Sequence, residues 1–170
     1  MNVLYLLPLS FLGACIGSNY TVMHPPLTVE TILIDPPARM DKPLYIRVTL
    51  KNTGKKTETV NARLSLGYEN SLSREIFVRM NALPISQDRI FYETDINRDF
   101  SGPEDYVQIE PGQSISSIIN LFECYRPTKP GKYEIVVCYQ GNEPLAFPPA
   151  DILPGVFCSA ALALDILPAS

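Results

Sequence analysis

The chain has 170 residues, which is enough for one domain with a buried core and a short tail. Hydrophobic residues make up 46% of it and charged residues 19%, a composition typical of globular and not of disordered chains. The net charge is −4 and no block of Lys and Arg occurs, which argues against a surface for nucleic acid or for anionic lipid.

The first segment, residues 1–15, is an uncharged apolar run that is too short to span a bilayer comfortably. Its length suits the apolar part of a secretory signal, and its end, Leu12-Gly13-Ala14-Cys15, resembles a bacterial lipobox. Such a signal is cut before the cysteine, which then carries the lipid. We therefore expect lipidation of Cys15, a tether over 16–26 and a folded domain over 27–170. The run lacks the Lys or Arg with which signals begin, so ordinary secretion and a buried first strand remain alternatives.

The rest of the chain is a series of short segments with strand character, separated by turn residues. The alternation is clearest after Pro43, where every second residue from Leu44 to Leu50 is apolar. No segment has a helical period over three turns. The sequence therefore predicts an all-β fold, an Ig-like antiparallel β-sandwich of about eight to nine strands. The nine predicted strands are Leu27–Ile34, Leu44–Lys51, Val60–Leu66, Ile76–Met80, Arg89–Glu93, Tyr106–Ile109, Ser114–Phe122, Lys132–Gln140 and Phe157–Ile166.

Turn signals between these segments predict two hairpins. The Asn52-Thr53-Gly54 turn predicts that Leu44–Lys51 pairs with Val60–Leu66. The turn at Pro127–Gly131 predicts that Ser114–Phe122 pairs with Lys132–Gln140.

Four cysteines are present, Cys15, Cys124, Cys138 and Cys158, and their spacings match no zinc site. A hairpin centred on Pro148 and Pro149 places Cys138 opposite Cys158, because both are equally far from that centre. We predict a disulfide between them, with two buried thiols as the alternative. In the hairpin predicted for Ser114–Phe122 and Lys132–Gln140, Cys124 does not face Cys138. The sequence therefore assigns no partner to Cys124.

The ionisable residues form no recognisable catalytic or cofactor motif. The single histidine, His24, lies in the predicted tether, where a solvated side chain is the simplest interpretation. No HExxH, GxSxG, P-loop or GxGxxG motif occurs. We therefore predict no catalytic residue, no metal and no cofactor, and keep an enzyme of unknown type as an alternative.

Acidic and aromatic residues gather in the longest loop and at the strand that follows it. Aromatic and charged residues on loops often carry recognition, so this region is the candidate surface for a protein partner. Calcium ligation by the acids is an alternative, although the spacing of a known calcium loop is missing. The candidate residues are Asp95, Asp99, Phe100, Glu104, Asp105 and Tyr106.

The second half of the chain also carries four motifs: Glu104-Asp105-Tyr106-Val107, Pro111-Gly112-Gln113-Ser114, Asn120-Leu121 with Tyr125, and Pro130-Gly131-Lys132-Tyr133. In these motifs it resembles the non-catalytic β-sandwich domain that precedes the catalytic domain in deuterolysin-like and peptidyl-Lys metallopeptidases. A weaker likeness is to proteinase inhibitors of the BsuPI type. The zinc-binding helix of the peptidases is absent, so the resemblance implies a module without proteolytic activity.

These observations together predict an extracytoplasmic Ig-like module, lipid-anchored or secreted, whose only link to the membrane is the lipid. It is expected to bind a protein partner or to support a surface assembly, and the resemblance implies a peptidase as one such partner. The alternative is a peptidase inhibitor or propeptide-like module that uses the candidate loop or the Gly141–Gly155 loop.

Overall fold

The computed structural model describes residues 25–68, 74–84, 91–93 (backbone), 102–141 and 151–170. The predicted signal segment and most of the tether, with Cys15 and His24, lie outside these residues. The described residues are almost entirely strands and turns, so the prediction of an all-β fold is confirmed. The strands are β1 (Leu27–Leu33), β2 (Ala38–Arg39), β3 (Tyr45–Asn52), β4 (Glu58–Asn61), β5 (Ile76–Leu83), β6 (Phe91–Glu93), β7 (Tyr106–Ile109), β8 (Ser114–Asn120), β9 (Tyr125–Pro127), β10 (Gly131–Gln140), β11 (Val156–Cys158) and β12 (Leu162–Leu167).

Helical structure in the described residues is confined to two short 3₁₀ turns, Pro103–Asp105 and Leu121–Glu123. In this part of the chain, no helix has the length and apolar character needed to cross a bilayer.

The first sheet has three antiparallel strands in the order β1, β3, β8. Its centre, β3, has the alternation expected from the sequence, since Ile46, Val48 and Leu50 are buried while Tyr45 and Arg47 are exposed. One face of this sheet therefore belongs to the core and the other faces outward.

The second sheet is built around β10, which pairs with β5 on one side and with β12 and β11 in succession on the other. The strand predicted over Phe157–Ile166 is thus interrupted. Between the two ladders, Val136 and Val137 face the three residues of 159–161. Ser159 bridges this bulge, because its N–H donates to Val137 O (2.8 Å) and its hydroxyl accepts from Val137 N–H (3.1 Å).

The outer edge of the second sheet is β2, which pairs with β12 in parallel. The backbone N–H of Ser170 donates to the carboxylate of Asp41 (3.2 Å), next to β2. This bond, with Arg39 nearby, lowers the pKa of the Asp41 carboxyl.

Both predicted hairpins are wrong. β3 pairs with β1 and β8, while β4 pairs with β7, and β8 does not pair with β10. The buried side chain of Asn52 explains the first change, because its amide donates to Lys56 O (2.7 Å) and Ile109 O (2.8 Å). These bonds hold the turn after β3 against the end of β7, so β4 continues along β7 and leaves the first sheet.

Both sheets contribute to one hydrophobic core. The first sheet supplies buried residues of β1, β3 and β8, and the second supplies those of β5, β10 and β12. The largest buried side chains include Tyr125, Tyr133 and Tyr139, and each of their hydroxyls has a backbone partner. This pattern agrees with the rule that a buried tyrosine keeps its polar end hydrogen-bonded.

Tyr133 stands near the start of β10, and its hydroxyl donates to Lys129 O (2.5 Å) in the preceding turn. We expect Tyr133→Phe to lower the free energy of unfolding by about 1 kcal/mol, because the hydrogen bond from the hydroxyl to Lys129 O is lost. Burial raises the pKa of Tyr133 in the folded state, so its contribution is present below about pH 10 and is lost as pH rises further. Denaturant unfolding should therefore show a steeper alkaline loss for the wild type than for Tyr133→Phe. Equal slopes would contradict this role.

Candidate binding surface

The predicted loop is described in its last part only. Glu104, Asp105 and Tyr106 lie within the described residues, while Asp95, Asp99 and Phe100 lie outside them. The first two described candidates belong to the 3₁₀ turn, and Tyr106 begins β7.

The turn is held by its own acidic residue. The Asp105 carboxylate accepts from the N–H of Gly102 (2.9 Å), and the Asp105 N–H donates back to Gly102 O (3.1 Å). Pro103 fits here because the first position of such a turn needs no N–H donor. Asp105 therefore stabilises the turn, whereas Glu104 remains exposed at its surface.

The turn is also attached to the core. Asp105 O accepts from Ala62 N–H (2.7 Å), and Tyr106 faces Asn61 across the β4–β7 ladder. The N–H of Asn61 donates in turn to the hydroxyl of Tyr139 in β10 (3.0 Å). The candidate surface is therefore linked to β10, the central strand of the second sheet, by two backbone contacts and by the side chain of Tyr139.

A buried charge lies behind this surface. The side chain of Glu75 is 0% exposed, and its carboxylate accepts from Arg63 (2.9 Å) and from the N–H of Ser65 (2.7 Å). Asn61 orients the same segment, because its side-chain oxygen accepts from Arg63 N–H (3.0 Å). This pair is not among the residues predicted from the sequence. Its only signal is an acid immediately before an apolar strand, which a solvated turn shows as well.

Phe77 lies on the face of β5 opposite the core. The guanidinium carbon of Arg74 lies 4.3 Å from the centre of its ring and that of Arg79 lies 5.5 Å away, both within the range of a cation–π contact. Across the ladder Phe77 faces Cys138, which faces Cys158 in β11. These arginines are not among the residues predicted from the sequence.

The predicted disulfide between Cys138 and Cys158 is present, and the register of β10 and β11 is the one expected from a hairpin centred on Pro148 and Pro149. Cys124 is a buried thiol outside this bridge, with its sulfur 3.8 Å from Leu66 O. Both residues of the bridge belong to adjacent strands, so it closes the base of the connection between β10 and β11.

The base of that connection is fixed by further bonds. Gly141 N–H donates to Gly155 O (2.8 Å), and the Thr59 hydroxyl donates to the Asp151 carboxylate (2.7 Å). Residues 142–150, the centre of the alternative loop, lie outside the described residues.

Across the described ranges, no three His, Cys, Asp or Glu side chains come together as ligands of a metal ion would. Because Asp95 and Asp99 fall outside those ranges, calcium binding by the acidic loop stays an alternative prediction. No model of a known protein family matches the chain, and no curated protein is similar to it in sequence.

Proposed function

We propose that the chain is an Ig-like β-sandwich that works outside the cytoplasm as a non-catalytic module and binds a protein partner. The Ig-like assignment is supported by two sheets that contribute to one core. It is further supported by Tyr133, near the start of β10, whose hydroxyl donates to Lys129 O in the preceding turn. A tyrosine in this position, at the corner before a central strand, is a hallmark of Ig-like domains.

The disulfide supports the extracytoplasmic location, because such bridges persist in oxidising compartments and are rare in the cytosol. The lipobox-like Leu12–Cys15 agrees with the same location and adds a lipid anchor at Cys15 to the proposal. The resemblance to modules of secreted peptidases fits this setting.

The observation that carries the binding proposal is the turn Gly102–Asp105. Its backbone is held by Asp105 and by Ala62, so the exposed carboxylate of Glu104 stands on a rigid support. A charged side chain on a fixed backbone loses less conformational entropy when it meets a partner than one on a mobile segment. We place the contact with the partner at this turn, together with Asp95, Asp99 and Phe100 of the segment that precedes it in the sequence.

Reversal of the charge at Glu104 tests this site. We expect Glu104→Lys to reduce recovery of the partner by about tenfold or more. Recovery is measured after the full chain has been cross-linked to envelope proteins. The matched control is Glu110→Lys, since Glu110 is also an exposed acid but lies at the opposite end of β7. A partner recovered equally well by both variants and the wild type would contradict the site.

One observation favours peptidase inhibition as a second candidate function. The connection between β10 and β11 is clamped at its base by the disulfide and by the bond from Gly141 to Gly155. A loop with a fixed base can be presented to a protease cleft at low entropic cost. Stoichiometric inhibition of a zinc peptidase would favour this candidate over a general binding role.

A further inference from the structure

The first sheet has an edge, β8, whose outer backbone groups have no partner among the described residues. Asn52 N–H donates to Gln113 O and Leu121 N–H donates to Leu44 O, which fixes the direction of the bonds between β3 and β8. Because donors alternate along an antiparallel strand, the N–H and C=O groups of Ser114, Ser116 and Ile118 point away from β3. These are the groups with which another strand would pair.

The composition of β8 lacks the features that normally protect an edge strand. Its seven residues, Ser-Ile-Ser-Ser-Ile-Ile-Asn, include no charge and no proline. Exposed edges usually carry a lysine, a proline or a bulge, which prevents pairing with another chain. The opposite edge of the same sheet, β1, has the exposed acid Glu30 at its centre.

An apolar side chain stands on this unprotected edge. Ile118 is 55% exposed and faces outward in the same row as Arg47 and Ile32, which is 58% exposed. Beside the second half of the strand runs a groove of about 250 Å³, bordered by Ser117–Asn120 and by Arg63–Leu66. The edge therefore combines unpaired backbone groups, open space and an exposed isoleucine.

We propose that two copies of this chain pair through β8 in an antiparallel, two-fold symmetric contact that joins their first sheets into one sheet of six strands. In the register with Ile118 opposite Ile118 of the copy, outward-pointing backbone groups meet each other and the two exposed side chains are in contact. The contact is isologous, so a single edge supplies both halves.

Charge favours a second copy as the occupant of this edge. The chain carries a net charge of −4, so two copies repel each other on average. The neutral β8 is a place where they approach without like charges in contact, whereas two β1 edges would bring Glu30 close to its counterpart. Within the first sheet, Arg47 lies one strand back from the edge, about 14 Å from its counterpart and beyond the screening length of physiological salt. Arg63 and Glu123, which border the groove beside the edge, carry opposite charges.

Sedimentation of the purified full chain over a range of micromolar concentrations tests the proposal, in mild detergent if the chain fractionates with membranes. We expect the wild type to be a dimer. Ile118→Lys should weaken dimerisation by about tenfold or more, because it places two like charges opposite each other. Ser116→Pro should weaken it similarly, because it removes an outward N–H that β3 does not use. Circular dichroism checks that each variant is folded.

Ile32→Lys is the matched control, since Ile32 lies in the same row with equal exposure but two strands away from the paired edge. This variant should remain a dimer. A wild type that stays monomeric throughout the range would overturn the proposal. Equal loss of the dimer in Ile32→Lys and Ile118→Lys would overturn it as well, because it would mean that the sheets associate through their faces.

Discussion

Replacement of Glu75 by glutamine is expected to lower the free energy of unfolding by about 3 kcal/mol. The Glu75 carboxylate is fully buried and accepts from both Arg63 and Ser65. An amide in its place presents N–H groups to one of these donors and removes the negative charge that Arg63 contacts. Loss of one member of a buried ion pair costs about 3–5 kcal/mol. The lower value applies here because Arg63 is 21% exposed and can recover some hydration.

Urea unfolding followed by circular dichroism measures this effect. The control is Glu110→Gln, which makes the same chemical change at an exposed turn and should leave stability unchanged. A loss below about 1 kcal/mol in Glu75→Gln would be no larger than the contribution of an exposed ion pair. That result would contradict the structural role of Glu75. The variant should also reduce binding at the Glu104 turn, because the pair supports the segment behind that turn.

The strands were largely predictable because burial on one face leaves a period of two in the sequence. β3 and β8 follow their patterns closely, and β10 matches its predicted bounds within one residue. Which strands pair with each other was harder to predict from the sequence. A turn such as Asn52–Gly54 reports that the chain reverses, but the partner of the next strand depends on bonds to distant residues, here from Asn52 to Ile109.

The residues of the candidate surface were likewise predictable only in part. Acidic and aromatic composition pointed to the loop before β7, and the structure gives its last residues two different roles, with Asp105 holding the turn and Glu104 exposed. The ion pair of Glu75 and Arg63 could not be predicted, because the two residues are twelve positions apart and only the fold brings them together. The disulfide was predictable because the hairpin that joins its two cysteines is local in sequence.

The second large effect is expected from this disulfide. It links residues separated by 20 positions, and closure of a loop of that length stabilises a domain by about 3 kcal/mol in the chain-entropy model. The Cys138→Ala/Cys158→Ala variant should lose about this much, because the unfolded chain regains the freedom that the bridge removes. Unfolding of the wild type in the presence of a reductant should give the same loss.

The double variant itself provides the control, since a reductant should not change its stability. A count of thiols on the unfolded, unreduced chain gives an independent check. Of the four cysteines, only Cys124 and Cys15 should react, and Cys124 alone should react where Cys15 carries a lipid. Labelling of Cys138 and Cys158 would mean that the bridge does not form, and it would remove the disulfide as support for an oxidising location. A single reactive thiol, together with the mass of a diacylglyceryl group, would instead establish the anchor and the bridge in one experiment.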